Sequence, residues 1–462
     1  MSRGKELAKN TLILSVGTFL PKFTLVITLP IITGHLTKTE YGTYDLITTL
    51  ISLVLPVVTL QIQAAAFRFL IECRNDLEEK KRVITNIFLF LLPVSFISGA
   101  FLFSALFSIT KQTRVLIAVY FFVDVLSRAT GQIVRGLSMN KLYSMGSIIQ
   151  AVFNLILVVV TLSIGNKGLN GLLISIIISS TINVIVLFLC SDIKSAIDAH
   201  YFSFSVIKKM LNYSWPLIPN TLSNWVLSTS DRLVLTIFCG LETVAIYGVA
   251  NKIPNLLLAI QATFAFAWQE NASLAVSDND SEKYYSEMFD RFFCIICGIL
   301  MLLIATSPLL FKILIKGDYK DAFPQMTILF IGVFFSTLST FLGGIYIAHK
   351  RTKSVGLTTI LAAGINLGLD FSLVNSLGIY AASISTVASY IFLVVYRMHS
   401  IKKFQSISFR YKRICFCIGV LIIMCVLCRS DSLASMLVNM FIGVGGALLL
   451  NHSMIKLILN TV

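Results

Sequence analysis

Apolar residues run almost unbroken along this chain in stretches of about 18 or more. The runs are too uniformly apolar for the one-sided stripe of a surface helix, and they lack the period-two alternation of a half-buried strand. Each run predicts a membrane-spanning helix, because a backbone inside a bilayer must satisfy its own hydrogen bonds. Fourteen are legible: Thr11–Thr33, Gly42–Phe67, Val83–Leu106, Val115–Arg135, Ser144–Ile164, Leu169–Cys190, Ser214–Cys239, Val244–Trp268, Phe292–Leu314, Gln325–Ala348, Val355–Asn375, Ile379–Arg397, Ile414–Leu427 and Ser432–Leu450. The alternating segments of about ten residues that mark a membrane β-barrel do not occur in the pattern. The prediction is an all-α integral membrane protein of about fourteen transmembrane helices.

Composition agrees. Of the 462 residues, 56% are hydrophobic and 13% charged, and the mean hydropathy is +0.86. A soluble chain would carry about 25% charged residues. The net charge of +15 brings nucleic acid to mind, but its placement excludes that reading. Twenty-five Lys and Arg fall in one set of alternate connections and eight in the other. The rich set includes Arg3, Lys5, Lys9, Arg68, Arg74, Arg135, Lys141, Lys194, Arg291, Lys353, Arg397 and Lys456; the poor set runs from Lys38 to Arg429. This is the positive-inside signature of a polytopic protein, and it puts both termini in the cytoplasm. The first run is too long for a signal-peptide core and lacks a small-residue cleavage site, so no removable leader is expected. The nine cysteines, including Cys425 and Cys428, show no metal spacing in polar surroundings and read as inert thiols.

An internal repeat organises the runs. At a shift of 206 residues Gly34, Thr37, Tyr41, Gly42 and Gln63 coincide with Gly240, Thr243, Tyr247, Gly248 and Gln269; at a shift of 212, Lys141 and Asn154 coincide with Lys353 and Asn366. An even number of spans separates the copies, so they share one orientation, and the axis relating them runs along the membrane normal. The expected organisation is two pseudo-symmetric six-helix lobes, 1–195 and 196–405, followed by two additional helices in 406–462.

The stretch Asp231-Arg-Leu-Val-Leu, then Gly240, then Val244-Ala-Ile-Tyr-Gly-Val-Ala-Asn-Lys-Ile resembles the polysaccharide transporter family of Wzx-type oligosaccharide flippases, within the multidrug/oligosaccharidyl-lipid/polysaccharide exporter superfamily. The opening Lys9-Asn-Thr through Glu40-Tyr-Gly-Thr-Tyr and the segment from Gly343 to Lys353 resemble it as well. The resemblance covers spans one to twelve. It implies a flippase, not an enzyme, that moves undecaprenyl-diphosphate-linked oligosaccharide repeat units across a bacterial cytoplasmic membrane for O-antigen, capsule or exopolysaccharide. It also brings membrane lipids, a polysaccharide polymerase and a chain-length regulator as candidate partners, and no cofactor beyond coupling to H+ or Na+.

Eight charges fall inside the spans: Lys22, Asp45, Asp124, Arg128, Asp231, Arg232, Lys252 and Asp370. Each costs about 2.5–3.5 kcal/mol at a helix centre, so each marks a functional position unless it is paired. Lys22, Arg128, Asp231, Arg232 and Lys252 are the substrate-binding candidates, because a diphosphate calls for cations and Arg grips it bidentately. Asp124 shares a helix face with Arg128, four residues on, and reads equally as a self-neutralising pair. Asp231 and Arg232 point about 100° apart. Asp45 is expected at the outer interface, solvated. Asp124 and Asp370 are the coupling-ion candidates. Arg68 and Arg135, at span ends, read as a cytoplasmic mouth for an anionic headgroup or simply as topology signals. Thr18, Thr24, Asn220, Asn224 and Ser228 offer sugar-binding groups that serve equally as helix-packing residues. Pro21, Pro216 and Pro219 are expected to let spans one and seven bend.

Two further readings stay open, a cation-coupled multidrug exporter of the same superfamily and a flippase for the peptidoglycan lipid precursor. A membrane polymerase or glycosyltransferase would need catalytic side chains in a sizeable outer loop, and every outer loop here is short.

Overall fold

The structure is a computed structural model and describes residues 17, 21–24, 26–73, 76–107, 109–276, 278, 280–430 and 432–459. Arg3, Lys5, Lys9, Thr18 and Arg74 lie outside the described residues. Among the described residues the regular elements are all helical. Among the described residues ten helices are long and apolar enough to cross a membrane. Of the other expected spans, the first lies partly outside the described residues, the thirteenth is a 17-residue helix, and the seventh and eighth are interrupted. The chain divides into two compact units, Met1–Leu222 and Ser223–Val462.

In the first unit, α1 (Lys38–Val58), α2 (Ile62–Glu72), α3 (Leu77–Ala105), α4 (Lys111–Gly136), α5 (Asn140–Val158) and α6 (Gly168–Leu189) are followed by the amphipathic α7 (Phe204–Ser214). A π-helical turn, Val159–Ile164, closes α5. Helix starts are sequence-encoded. The Thr37 hydroxyl accepts the Glu40 N–H at 3.2 Å, and the Glu40 carboxylate accepts the Thr37 N–H at 3.0 Å, a capping box. The other Glu40 oxygen reaches the start of α6 and accepts the Leu169 N–H at 3.2 Å. Gly168, at φ +52°, makes room for it: a Cβ there would stand 2.2 Å from that oxygen. Asp76 caps α3 through the Glu78 and Glu79 N–H groups. Ile84, Ile87 and Leu91 of α3 pack with Ile117, Phe121 and Val125 of α4 and with Leu173 and Leu187 of α6. Lipid gives no hydrophobic drive between helices, so close approach matters: Gly99 brings α3 within 3.3 Å of the Ala118 carbonyl oxygen of α4, measured from its ideal Cβ.

Helix α8 (Ile218–Thr229) spans the boundary between the units. The second unit continues with α9 (Asp231–Cys239), α10 (Leu241–Ala250), α11 (Leu256–Ala275), α12 (Ser281–Leu314), α13 (Ala322–Ala348), α14 (Thr352–Leu377), α15 (Ile379–Ile401), α16 (Tyr411–Leu427) and α17 (Leu433–Leu459). Helix α13 is the enclosed one, 78% buried over its apolar window; that of α17 is 11% buried, with Phe441 and Leu449 facing outward. Outward apolar faces of this kind need lipid around them. Trp268 of α11 stacks on Phe341 of α13 at 4.2 Å between ring centroids and donates its indole N–H to the Phe341 carbonyl at 2.9 Å.

Three expected spans are broken rather than continuous. The second stops after Val58 and restarts at Ile62, with Leu60 and Gln61 left-handed at φ 48° and 58°. The seventh holds Pro216 in a 3-10 turn, Trp215–Leu217, and breaks again at Ser230. The eighth turns at residues 251–255, where Pro254 removes a backbone donor. The apolar pattern does not register these breaks, because hydropathy measures partition and not backbone continuity. Irregular backbone within a spanning segment is tolerated only inside protein or along a cavity.

Candidate functional site

The break at Ser230 places Asp231 at the first residue of α9. Asp231 is 2% exposed, and Asp370, on α14, is 1% exposed. The two carboxyls lie within hydrogen-bond reach of each other. Asp231 Oδ2 accepts the Tyr247 hydroxyl at 2.5 Å and the Thr386 hydroxyl at 2.8 Å. Asp370 Oδ1 accepts the Ser385 hydroxyl. Asn366, one turn before Asp370, donates to Ser385 Oγ at 3.4 Å and accepts from the Ser230 hydroxyl at 3.2 Å. Asp231 Oδ1 and Asp370 Oδ2 are buried with no hydrogen-bond partner among the described residues. Oxygens that only accept cannot satisfy one another, and two carboxylates this close and this buried require a positive charge between them. Every donor atom present is a hard oxygen, which suits a proton or a small alkali cation and not a soft metal.

Arg232 sits beside this cluster, over one of its members. It is half-buried, its guanidinium stands 5.8 Å from the centroid of the Tyr247 ring, and it donates to the Ser228 carbonyl at 3.4 Å. Lys252 falls in the turn between α10 and α11, half-buried. In the first unit Lys22 is half-buried, and Arg128 bonds Asp124 at 3.0 Å, with side chains 54% and 18% exposed. Arg68 pairs with Glu72 at 2.8 Å on the surface. Arg135 lies 5.0 Å from the Phe67 ring and 5.5 Å from that of Tyr143. The structure therefore brings Asp231 and Asp370 together, keeps Asp124 with Arg128, and gathers Arg128 and Arg135 on α4.

Asp45 departs from expectation: it is 5% exposed, packed on α1 and not solvated at an interface. Asp370, unpaired in the sequence, acquires Ser385 and Asp231 as neighbours. Arg397, expected at a span end, is 4% exposed within α15. It donates to the Thr358 and Thr359 hydroxyls at 3.1 and 3.0 Å and to the Ser339 carbonyl at 2.7 Å. Tyr247, Asn366, Ser385 and Thr386 join the site without having been picked out as ligands. The repeat held the signal for two of them, Tyr247 opposite Tyr41 and Asn366 opposite Asn154. Asn154 donates to Ser179 Oγ at 3.3 Å in the first unit, and Asn366 donates to Ser385 Oγ in the second.

Apolar helices of spanning length, broken beside buried charge, define a multi-pass membrane protein. Residues 7–269, more than half of the chain, match the family model described as polysaccharide biosynthesis protein, and the chain belongs to that family. An uncharacterised membrane protein of Methanocaldococcus jannaschii is 25% identical over 54% of this chain and 50% of its own length. A probable low-salt glycan biosynthesis flippase of Haloferax volcanii is 22% identical over 52% of each. The chain thus spans about half the length of these curated relatives. Among solved structures, the lipid II flippase MurJ in an inward closed conformation superposes with a TM-score of 0.71 at 16% identity, over 97% of this chain and 100% of that one. An inward-facing MATE family multidrug resistance transporter of the MOP superfamily gives 0.68 at 13%, over 85% and 95%. The fold is the one these transporters share.

Proposed function

We propose that this chain is a flippase that carries polyprenyl-diphosphate-linked oligosaccharide across a membrane by alternating access, for assembly of a surface polysaccharide. In a bacterium the carrier lipid is undecaprenyl diphosphate, the membrane is the cytoplasmic one and both termini face the cytoplasm. The observation that carries the transport reading is the Asp231–Asp370 cluster at a broken helix. A buried, titratable oxygen cage inside a membrane protein binds and releases a positive charge as its surroundings change. Family membership and the flippase among the relatives support the cargo class.

Asp231, Asp370, Asn366 and Thr386 supply the oxygens that would hold H+ or Na+. Such an ion supplies the free energy of its gradient. The chain's own residues do the rest. Tyr247 and Thr386 fix one carboxyl of the pair, and Ser385 fixes the other. Lys22, Arg232 and Lys252 are the cations we assign to the diphosphate; Arg128, the fourth expected from the sequence, is paired with Asp124. The two units serve as the lobes whose alternation moves the cargo, and α16 with α17 are accessory to them.

The test is accumulation of lipid-linked oligosaccharide in cells lacking the protein. Wild type should clear it and restore surface polymer, while Arg232→Ala should not. Rescue by Arg232→Ala would remove the cation assignment and leave the function. Intact surface polymer together with new drug sensitivity in the deletion would replace the flippase by an exporter.

A further inference from the structure

The first unit holds a second polar chamber that the charged candidates do not explain. It is a cavity of about 350 Å³ among α2, α4, α5 and α6, lined by Gln61, Gln63, Gln132, Gln150, Asn183 and Tyr143 together with Ser127, Ser147 and Arg128. Its volume falls at the lower end of ordinary ligand sites, about 300–1,000 Å³. No carboxylate lines it. The one lining cation, Arg128, is already neutralised by Asp124 at 3.0 Å. The lining is therefore electrically balanced and built of amides, hydroxyls and one phenol, groups that both donate and accept.

We infer that this cavity is a carbohydrate subsite, which holds neutral sugar hydroxyls of the glycan rather than its diphosphate. The inference rests on the flippase reading and names the part of the cargo recognised here. Three independent observations support it. Gln63 is 8% exposed and its Oε1 has no hydrogen-bond partner among the described residues; Asn183 is 6% exposed and its Oδ1 likewise has none. Both oxygens are unsatisfied acceptors within the cavity wall, and a sugar hydroxyl reaches them once the amide turns toward it. The remaining amide groups are ordered in advance: Asn183 donates to Gln150 Oε1 at 3.1 Å, Gln150 donates to Ser180 Oγ at 2.9 Å, and Gln61 donates to Thr221 Oγ1 at 3.0 Å. Finally, the left-handed break at Leu60 and Gln61 turns two glutamines toward one chamber, and Ser214 secures the break by donating to the Leu60 carbonyl at 2.7 Å. A helix interrupted only for flexibility would not need five amides around the chamber beside it.

Lipid-linked cargo carries both headgroup parts, so the experiment separates them. Purified wild type, Gln63→Leu and Gln150→Leu are titrated in detergent with polyprenyl-diphosphate-linked oligosaccharide extracted from the source cells, and with sugar-free polyprenyl diphosphate. Each protein is also reconstituted in vesicles for translocation. Gln63 makes no internal hydrogen bond through Oε1, so Gln63→Leu keeps the fold even where Gln150→Leu loses it, and melting temperature reports on both. The expected result is about tenfold weaker binding of the sugar-bearing lipid by Gln63→Leu, with sugar-free lipid bound as in wild type. Equal losses for the two lipids would hand the cavity to the diphosphate or the lipid. Unchanged binding of both would overturn the subsite outright. Sugar-dependent binding by wild type without translocation would sustain the subsite and refute the flippase reading.

Discussion

Asp370→Asn is the sharpest probe of the coupling site. Asp231 and Asp370 stand within hydrogen-bond reach, and both are buried. Two unit charges about 3–4 Å apart at an effective dielectric of about 20 repel by roughly 4–6 kcal/mol. A positive charge taken up between them relieves that repulsion, so its binding is strengthened by the same amount. Asn keeps the shape and removes one charge, and the relief disappears with it. At about 1.4 kcal/mol per decade, the affinity for the driving ion falls by about three to four orders of magnitude. The assay is translocation of lipid-linked oligosaccharide in vesicles, with the external Na+ concentration and the pH varied separately. Wild type should saturate in one of the two; Asp370→Asn should show no saturation over the accessible range. Asp124→Asn is the control, because that carboxylate already has Arg128 as its partner at 3.0 Å. Unchanged half-saturation in Asp370→Asn would refute the assignment, and a shift confined to Asp124→Asn would move the coupling site into the first unit.

Two other substitutions test the packing around the polar interior. Gly146→Ala would place a Cβ 2.4 Å from Asn183 Oδ1 and 2.9 Å from Leu187 Cδ2; the clash should cost about 1–3 kcal/mol and lower the melting temperature of the detergent-solubilised protein. Arg397→Leu abolishes hydrogen bonds from a guanidinium to Thr358, Thr359 and Ser339 and leaves the Ser339 carbonyl without that donor. Hydrogen bonds to charged groups contribute about 1.5–3 kcal/mol each, so folded yield should fall sharply, while Arg397→Lys should recover part of it.

The spans were legible in the sequence because partition into lipid depends on side-chain chemistry alone: α4 at Lys111–Gly136 and α13 at Ala322–Ala348 lie within a few residues of the apolar runs that predict them. The breaks were not. Leu60 is an ordinary apolar residue whose left-handed backbone is imposed by what surrounds it. Intramembrane charge marked Asp231 and Asp370 separately, since their cost in lipid is local. That they meet depends on the packing of α9 against α14, which no single run encodes. Arg397 was misplaced for a related reason. A span end rich in Lys and Arg hides a buried arginine among solvated ones, and only the hydroxyls of Thr358 and Thr359 distinguish it.

Glu40 serves two masters. One oxygen closes the capping box at the start of α1, and the other holds the start of α6, more than a hundred residues along the chain. Both helix ends are thereby staked to a single acid, and neither can fray without releasing the other. At the corresponding place in the second copy stands Ile246, which has no oxygen to offer. The Glu40 contact that holds the start of α1 to the start of α6 therefore has no side-chain counterpart at position 246.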